Sequence, residues 1–231
     1  MVSKVPRHIA IVLDGNRRFA QKLGLQPWKG HEFGLRKLED LFKWCMELGI
    51  KELTLYCFSI ENFRRAKQEI SYLFGLFWKE FNKIKEGKGI FTNKVRVNVI
   101  GREWMFPKRM QKAMQAATKK TRKNNKLVVN FALGYGGKQE IIDAFKRILN
   151  NSKNLRPEQI NEGIITQNLY LKNKPDMVIR PGGEIRTSNF LTWQSAYSEW
   201  FFLKRLWPEF TKQDLINCIN EFNKRERRFG T

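Results

Sequence analysis

The chain has 231 residues, 44 Lys+Arg against 22 Asp+Glu, a net charge of +22, and 42% hydrophobic residues. That apolar fraction excludes an intrinsically disordered chain, and the length suits one α/β domain with a substantial core, taken here as residues 1–231. Cys45, Cys57 and Cys218 lack Cys-x-x-Cys spacing, which excludes a disulfide framework or zinc ribbon and reads as buried thiols in a reducing cytosol. With only His8 and His31 as histidines, any bound metal has to be held by oxygen.

The apolar run at 9–13 ends in Asp14 and is too short for a signal peptide, and no stretch reaches the length of a membrane span. The expectation is a soluble, cytoplasmic protein, with peripheral contact to an anionic membrane surface left open. A charge of +22 calls for an acidic partner: nucleic acid, anionic lipid or a phosphorylated small molecule. Charge alone does not choose among them, and a Lys-rich surface also arises from lineage.

In chain order, short β-rich runs fall at His8–Leu13, Leu53–Phe58, Val95–Ile100, Leu127–Phe131 and Met177–Ile179, with a weaker one at Trp200–Leu203. Between the first two, Leu35, Leu38, Leu41, Phe42, Cys45 and Met46 form a helical stripe, and Gly49 stands at the expected C-terminus. The next helix carries Ile70, Leu73, Phe74, Phe77, Phe81 and Ile84 on one face, and Tyr72, Leu76 and Trp78 elsewhere. Apolar nearly all round, it is either plain core or the wall of a site for a lipid-like ligand. Helices follow at about 103–123, 138–150 and 212–227, while the polar stretch 150–174 reads as a surface excursion with short helices and no domain boundary. Strands alternating with helices predict a mostly parallel six-stranded sheet covered on both faces.

In such sheets ligands bind at the carboxyl ends of the strands. Three loops there carry Asp14-Gly15-Asn16-Arg17-Arg18-Phe19, Ser59-Ile60-Glu61-Asn62-Phe63-Arg64-Arg65, and Arg180-Pro181-Gly182-Gly183-Glu184-Ile185-Arg186-Thr187-Ser188-Asn189. They place six arginines on one edge, in a chain that uses lysine freely elsewhere. The guanidinium fork binds phosphate oxygens in pairs and stays charged when partly buried. Gly15, Gly182 and Gly183 are expected to let backbone amides approach a phosphate. Asp14 either caps a following helix or sits among the cations, where Mg²⁺ bridging to a diphosphate explains a carboxylate. The P-loop and G-x-G-x-x-G patterns are absent, as are an Asp-Asp pair and G-x-S-x-G, which disfavours common nucleotide sites, aspartate-rich prenyltransferases and serine hydrolases. Gly134-Tyr135-Gly136-Gly137 reads as a tight turn or a weak phosphate signal.

The stretches H-I-A-I-V-L-D-G-N-R-R-F from His8, Gly30-His31, L-T-L-Y-C-F-S-I-E-N-F-R-R from Leu53, R-P-G-G-E-I-R-T-S-N-F-L-T-W-Q from Arg180, L-W-P-E-F from Leu206 and the terminal R-E-R-R-F-G resemble the cis-prenyltransferases, the family of undecaprenyl and dehydrodolichyl diphosphate synthases. The resemblance spans nearly the whole chain. It implies an Mg²⁺-dependent homodimer with a hydrophobic tunnel, which condenses isopentenyl diphosphate repeatedly onto an allylic diphosphate such as farnesyl or geranylgeranyl diphosphate, giving a polyprenyl diphosphate for lipid carriers. By the same resemblance, Asp14 binds the metal and is catalytic. Gly15, Asn16, Arg17, Arg18, Phe19 and His31 hold the allylic diphosphate, and Ser59, Ile60, Glu61, Phe63 and Arg65 form a loop over the substrates. Asn62 assists proton removal. Arg180, Arg186, Thr187 and Ser188 bind isopentenyl diphosphate, Glu199 is a second metal-linked carboxylate, and Arg228 reaches the partner's site. Cys57 and Leu127 match positions near the tunnel.

Arg17, Phe19, Pro27, Pro181 and Ile185 depart from the bacterial pattern, and D-G-N-R-R-F looks closer to archaeal and eukaryotic members. The rival functions are a basic nucleic-acid-binding protein and a non-catalytic partner subunit of such an enzyme. The first is disfavoured because the aromatics lie in apolar stripes. The second is disfavoured because Asp14, Asn62, Arg65, Arg180 and Arg186 are all present.

Overall fold

The computed structural model describes residues 5–88, 94–151 and 156–225. Six strands, β1 (His8–Val12), β2 (Glu52–Ser59), β3 (Val95–Ile100), β4 (Leu127–Tyr135), β5 (Met177–Arg180) and β6 (Glu199–Phe202), form one sheet in the order β3-β4-β2-β1-β5-β6. Every neighbouring pair is parallel. The helices are α1 (Asn16–Lys22), α2 (Gly30–Leu48), α3 (Lys67–Lys85), α4 (Lys108–Thr121), α5 (Gly137–Asn151), α6 (Glu162–Asn168) and α7 (Lys212–Lys224).

The sheet sorts its side chains with period two. Ile9 and Ile11 of β1 join Leu53 and Leu55 of β2 in the main core, against Leu38, Leu41, Phe42 and Cys45 of α2, Leu73 and Phe81 of α3, Met110 and Met114 of α4, and Leu215 and Ile219 of α7. Ala10 and Val12 face the other way, onto Tyr56, Tyr135, Phe190 and Leu191. The centre of the sheet is therefore dry on both faces, as the apolar run of β1 requires. At the end of α2, Gly49 takes φ +84 and its amide donates to the Met46 carbonyl, while Ile50 donates to Cys45. This left-handed cap turns the chain directly into β2.

The short helices expected beyond residue 150 are present, and α6 does more than cover surface: it lays Ile165, followed by Leu169, on Ala144 and Ile148 of α5, closing a satellite core. The glycine run at the end of β4 makes the tight turn into α5, and Gly137 also serves close packing, since a Cβ there would lie 2.2 Å from the Thr192 hydroxyl oxygen. L-W-P-E-F has a structural task as well. Trp207 is fully buried, its indole N–H donates to the Gly34 carbonyl at 2.9 Å, and its backbone N–H donates to the Asp14 carbonyl at 2.9 Å. The turn after β6 is thereby tied to the end of β1 and the start of α2.

Candidate active site

The carboxyl ends of β1, β2 and β5 meet where the three loops were expected. Gly15, at φ +102, stands at the N-cap position of α1, so Asp14 is not the cap. Its two carboxylate oxygens accept from Arg18 Nη2 at 3.1 Å and from Arg180 Nη2 at 2.8 Å. Arg180, the last residue of β5, has a side chain only 5% exposed. Its Nη1 donates to Ser188 Oγ at 2.7 Å and to the Arg186 carbonyl, and its Nε finds no acceptor among the described residues. A buried guanidinium with an N–H to spare is poised for an anion.

The glycines of the third loop act differently from expectation. The Gly182 and Gly183 amides donate to the Arg205 and Leu203 carbonyls at 2.7 and 2.8 Å, so these two N–H groups are already committed inside the fold. Gly182 is needed for space instead: at φ +106, an added Cβ would come within 2.9 Å of Arg18 Nη2 and 3.2 Å of Asp14 Cγ. Further along, Ser188, Asn189 and Leu191 all take left-handed backbone, at φ 51, 61 and 47. Such conformations persist where the surroundings over-determine them. Here Tyr56 donates its hydroxyl to the Ser188 carbonyl at 3.3 Å and stacks on Phe190, and Gly137 donates to the Asn189 carbonyl at 2.7 Å.

A second acidic centre faces the first. Ser59 and Asn62 cap the one-turn helix 60–64 reciprocally: Ser59 Oγ accepts from the Asn62 amide at 3.3 Å, and Asn62 Oδ1 accepts from the Ser59 amide at 3.1 Å. That box sets the direction in which the chain enters α3, and so brings Arg65 and Glu69 into (i, i+4) alignment. The buried Glu69 carboxylate takes Arg65 Nη1 at 2.8 Å and His31 Nε2 at 3.4 Å, with Arg17 Nη1 at 4.0 Å. The His31 hydrogen bond leads the effects holding this carboxyl below the usual carboxylate range, followed by the charges of Arg65 and Arg17, against the opposing effect of burial. Glu69 escaped the sequence reading because the stripe of α3 was taken from Ile70. The Arg65–Glu69 spacing was the available signal.

Between the two centres opens a cavity of about 650 Å³. Its mouth is lined by Asp14, Asn16, His31, Ser59, Glu61, Asn62, Arg65, Arg180, Arg186 and Ser188. Away from the mouth its wall is mainly hydrocarbon: Leu35, Leu38 and Phe42 from α2, Leu73, Leu76, Phe77, Phe81 and Ile84 from α3, and Phe131 and Leu133 from β4, with the carboxylates of Glu39 and Glu80 also on it. The apolar α3 therefore serves as core and cavity wall at once. Cys57 lines the cavity, whereas Leu127 is buried at the start of β4, paired with Val95, and does not.

The remaining expected residues scatter. Gly15, Arg17 and Arg18 stand beside the mouth, the arginines through their acidic partners. Phe19 meets Phe33 edge-on at 5.2 Å, and Phe63 packs on Phe58 and Phe106. Ile60 opens the one-turn helix, and Thr187 is exposed, its carbonyl accepting from Phe190. Glu199 is in register with Met177, and Met177 with Ile9, at the amino ends of the strands. It pairs there with Arg225 at 2.6 Å, and within one chain it is not brought to Asp14. Arg228 lies outside the described residues.

Arginines and an aspartate at the mouth of a deep hydrocarbon cavity define a protein that handles a phosphorylated, lipid-like molecule. The chain belongs to the prenyltransferase family described as putative undecaprenyl diphosphate synthase, whose profile matches residues 12–230. It is 50% identical to the tritrans,polycis-undecaprenyl-diphosphate synthase (geranylgeranyl-diphosphate specific) of Pyrococcus horikoshii, over 98% of this chain and 87% of that one. Its fold matches crystal structures of lavandulyl diphosphate synthase from Lavandula x intermedia in complex with dimethylallyl diphosphate (TM-score 0.91, 31% identity, 98% of both chains) and of a probable undecaprenyl diphosphate synthase from Campylobacter jejuni (TM-score 0.83, 35% identity, 99% of this chain and 100% of that one). The reading of the chain as a transferase of prenyl groups is thus borne out.

Proposed function

We propose that this protein is a cytoplasmic cis-prenyltransferase that condenses isopentenyl diphosphate repeatedly onto an allylic diphosphate primer, releasing a long polyprenyl diphosphate for lipid carrier synthesis. The observation that carries this reading is the single cavity with a cationic mouth and hydrocarbon depth: one end suits two diphosphates, the other a growing chain. The 50% identity to an enzyme named for geranylgeranyl diphosphate favours that primer over the shorter farnesyl diphosphate. A nucleic acid would find no use for so deep an apolar cavity.

In this reading Arg180, Arg186, Thr187 and Ser188 bind isopentenyl diphosphate, and Gly15–Phe19 with His31 bind the allylic diphosphate. Arg17, Arg18 and Arg65 stabilise charge as the allylic C–O bond breaks. The isopentenyl double bond attacks the allylic carbon, diphosphate leaves, and loss of a proton restores a double bond of cis geometry. Asn62, fixed by its bond to Ser59, orients the loop bearing Ile60, Glu61 and Phe63 where that proton departs. Burial of the chain beneath the mouth keeps water from the reacting carbon.

A cofactor follows from the same chemistry. Among the described residues no three acidic, thiol or imidazole groups converge on one point, and the only aspartate at the mouth is Asp14. That fits Mg²⁺, which takes one or two carboxylates and completes its shell with water and phosphate oxygens. Asp14 would hold it, and the ion supplies charge neutralisation for the departing diphosphate. Glu199 would need another chain or a movement to take part.

The protein is further proposed to work as a homodimer. Ala144 and Ile148 of α5 are covered by α6, while Ile142, Phe145 and Leu149 form an exposed apolar stripe on another face of the helix. A second copy covers that stripe. Sedimentation of Phe145→Asp/Leu149→Asp should show monomers, and a dimer of unchanged affinity would overturn this surface.

The function is tested by incubating the purified protein with Mg²⁺, labelled isopentenyl diphosphate and allylic diphosphates of graded length, then sizing the products. Elongation that is best from geranylgeranyl diphosphate and abolished by Asp14→Ala is expected. No elongation from any primer, or elongation indifferent to Asp14→Ala, would refute the reading.

A further inference from the structure

The charge surplus is unevenly spread. Residues 108–126 hold Lys108, Arg109, Lys112, Lys119, Lys120, Arg122, Lys123 and Lys126 and not one Asp or Glu, so these nineteen residues supply +8 of the net +22. All eight side chains are exposed, because α4 turns Met110, Ala113, Met114, Ala117 and Thr121 inward. Among the described residues none of the eight is in an ion pair, although lysines in and just after α3 find carboxylates nearby, Lys83 on Glu80 and Lys88 on Glu86. Helix-dipole preference accounts for Lys119 and Lys120 in the last turn. It runs against Lys108 and Arg109 in the first, where no acid is present.

Beside the lower turns of α4, Lys85, Lys119, Lys120, Arg122 and Lys123 surround a groove in whose wall no carboxylate stands among the described residues. Exposed apolar side chains stand near the upper turns. Trp78 of α3 is 41% exposed with the Arg109 guanidinium 5.4 Å from its ring centroid, and Trp104, 60% exposed, precedes α4. Exposed tryptophans flanked by unpaired lysines suit the boundary of an anionic bilayer, where the ring lies at headgroup level and the cations among phosphates.

We propose that the outer face of α4, with Trp78 and Trp104, is a docking surface for an anionic lipid bilayer. The occupant is argued from charge complementarity and from what lies behind the face. α4 packs on α3, which also supplies Leu73, Leu76, Phe77, Phe81 and Ile84 to the wall of the cavity. The surface thus stands one helix layer from the chain being made, and a product of that kind has only a bilayer to enter. This last step rests on the proposed function. Six lysines to two arginines also favour a diffuse charged surface over nucleic-acid readout, which draws on the bidentate guanidinium.

The test is flotation of the full chain with vesicles of phosphatidylcholine alone or mixed with phosphatidylglycerol, at low and physiological salt. Binding is expected only to the anionic vesicles and should weaken with salt. Lys112→Gln/Lys119→Gln/Lys123→Gln should lower partitioning about a hundredfold, at about fivefold per basic residue. Elongation in detergent micelles should stay at the wild-type rate, which also shows that the variant folds. Lys43→Gln/Lys51→Gln/Lys172→Gln, with three exposed lysines elsewhere, should bind as wild type. Equal binding to neutral vesicles, an unaffected α4 variant, an equal loss in the control variant, or loss of single-stranded RNA binding with vesicle binding intact would each overturn the proposal. Vesicle binding lost in the α4 variant, in a protein whose wild type elongates no primer, would overturn the function and leave the docking surface standing.

Discussion

Glu69→Gln separates two opposing effects at the mouth of the cavity. The substitution keeps the volume of the side chain and one acceptor oxygen but removes a negative charge held by Arg65, His31 and Arg17. On charge alone, losing an anion beside a diphosphate site tightens substrate binding. On positioning, two arginines and an imidazole lose the group that aims them. A charge-assisted hydrogen bond to a buried carboxylate contributes roughly 1.5–3 kcal/mol. The Arg65 side chain is 28% exposed against 5% for Glu69, so solvent screening reduces the Arg65 bond to about 1–2 kcal/mol. If that alignment is realised in the transition state, kcat falls about 5- to 30-fold while KM for the allylic diphosphate holds or drops. Because the folded carboxyl titrates below 4.5, its contribution to stability is present above that pH and is lost as pH falls through the lowered folded value. Wild type and Glu69→Gln should therefore differ in thermal midpoint at neutral pH and converge in acid. Steady-state kinetics with graded primer, alongside melts across pH, make the check. An unchanged kcat with a lower KM would show that Glu69 acts only as a charge and would refute its positioning role.

Gly182→Ala should cost about 1–2 kcal/mol in stability from its left-handed backbone. It should also lower kcat/KM at least tenfold, since the new methyl group meets Arg18 and Asp14; full activity with an unshifted melt would contradict the packing described. Cys57→Phe should shift the product distribution to shorter chains by filling the cavity wall, which product sizing reads directly, and an unaltered distribution would place the growing chain elsewhere. The His8 imidazole is held below its ordinary 6.5 chiefly by burial, against the opposing charges of Glu52 and Asp176 and a hydrogen bond with the Lys174 backbone. Its folded form is neutral, so its contribution to stability is complete above 6.5 and is lost as pH falls from there toward the folded value. His8→Gln should flatten the dependence of denaturant midpoint on pH in that window, and an equal slope would exclude His8 as its source.

Much of the fold was readable from local pattern. The alternation of β-rich runs with helical stripes announced a parallel sheet, and the expected strands differ from β1–β6 by a few residues at their ends. β6 was the weakest, because a four-residue edge strand leaves little periodicity. The helix α1 was foreshadowed only by Asp14 as a possible cap: its seven residues start instead from a left-handed glycine at the cap position with no side-chain cap bond, which local pattern does not signal. At the site, ten of the expected residues line the mouth of one cavity. Phe19 and Phe63 instead pack on aromatic neighbours, and Glu199 stands at the other end of the strands.

By itself the sequence determined the class of fold and the edge of the sheet where chemistry gathers, because residues a turn or two apart encode period and loop, and parallel topology places loops after β1, β2 and β5 together. Only the tertiary structure decided the pairings. Asp14 meets Arg180 across 166 residues, and His31 meets Glu69 across 38, separations that no local pattern encodes. Space and charge were settled the same way. That Gly182 makes room for two side chains, that α3 walls a cavity, and that the cations of α4 meet no acidic partner among the described residues all depend on which surfaces the closed fold brings together and which it leaves facing outward.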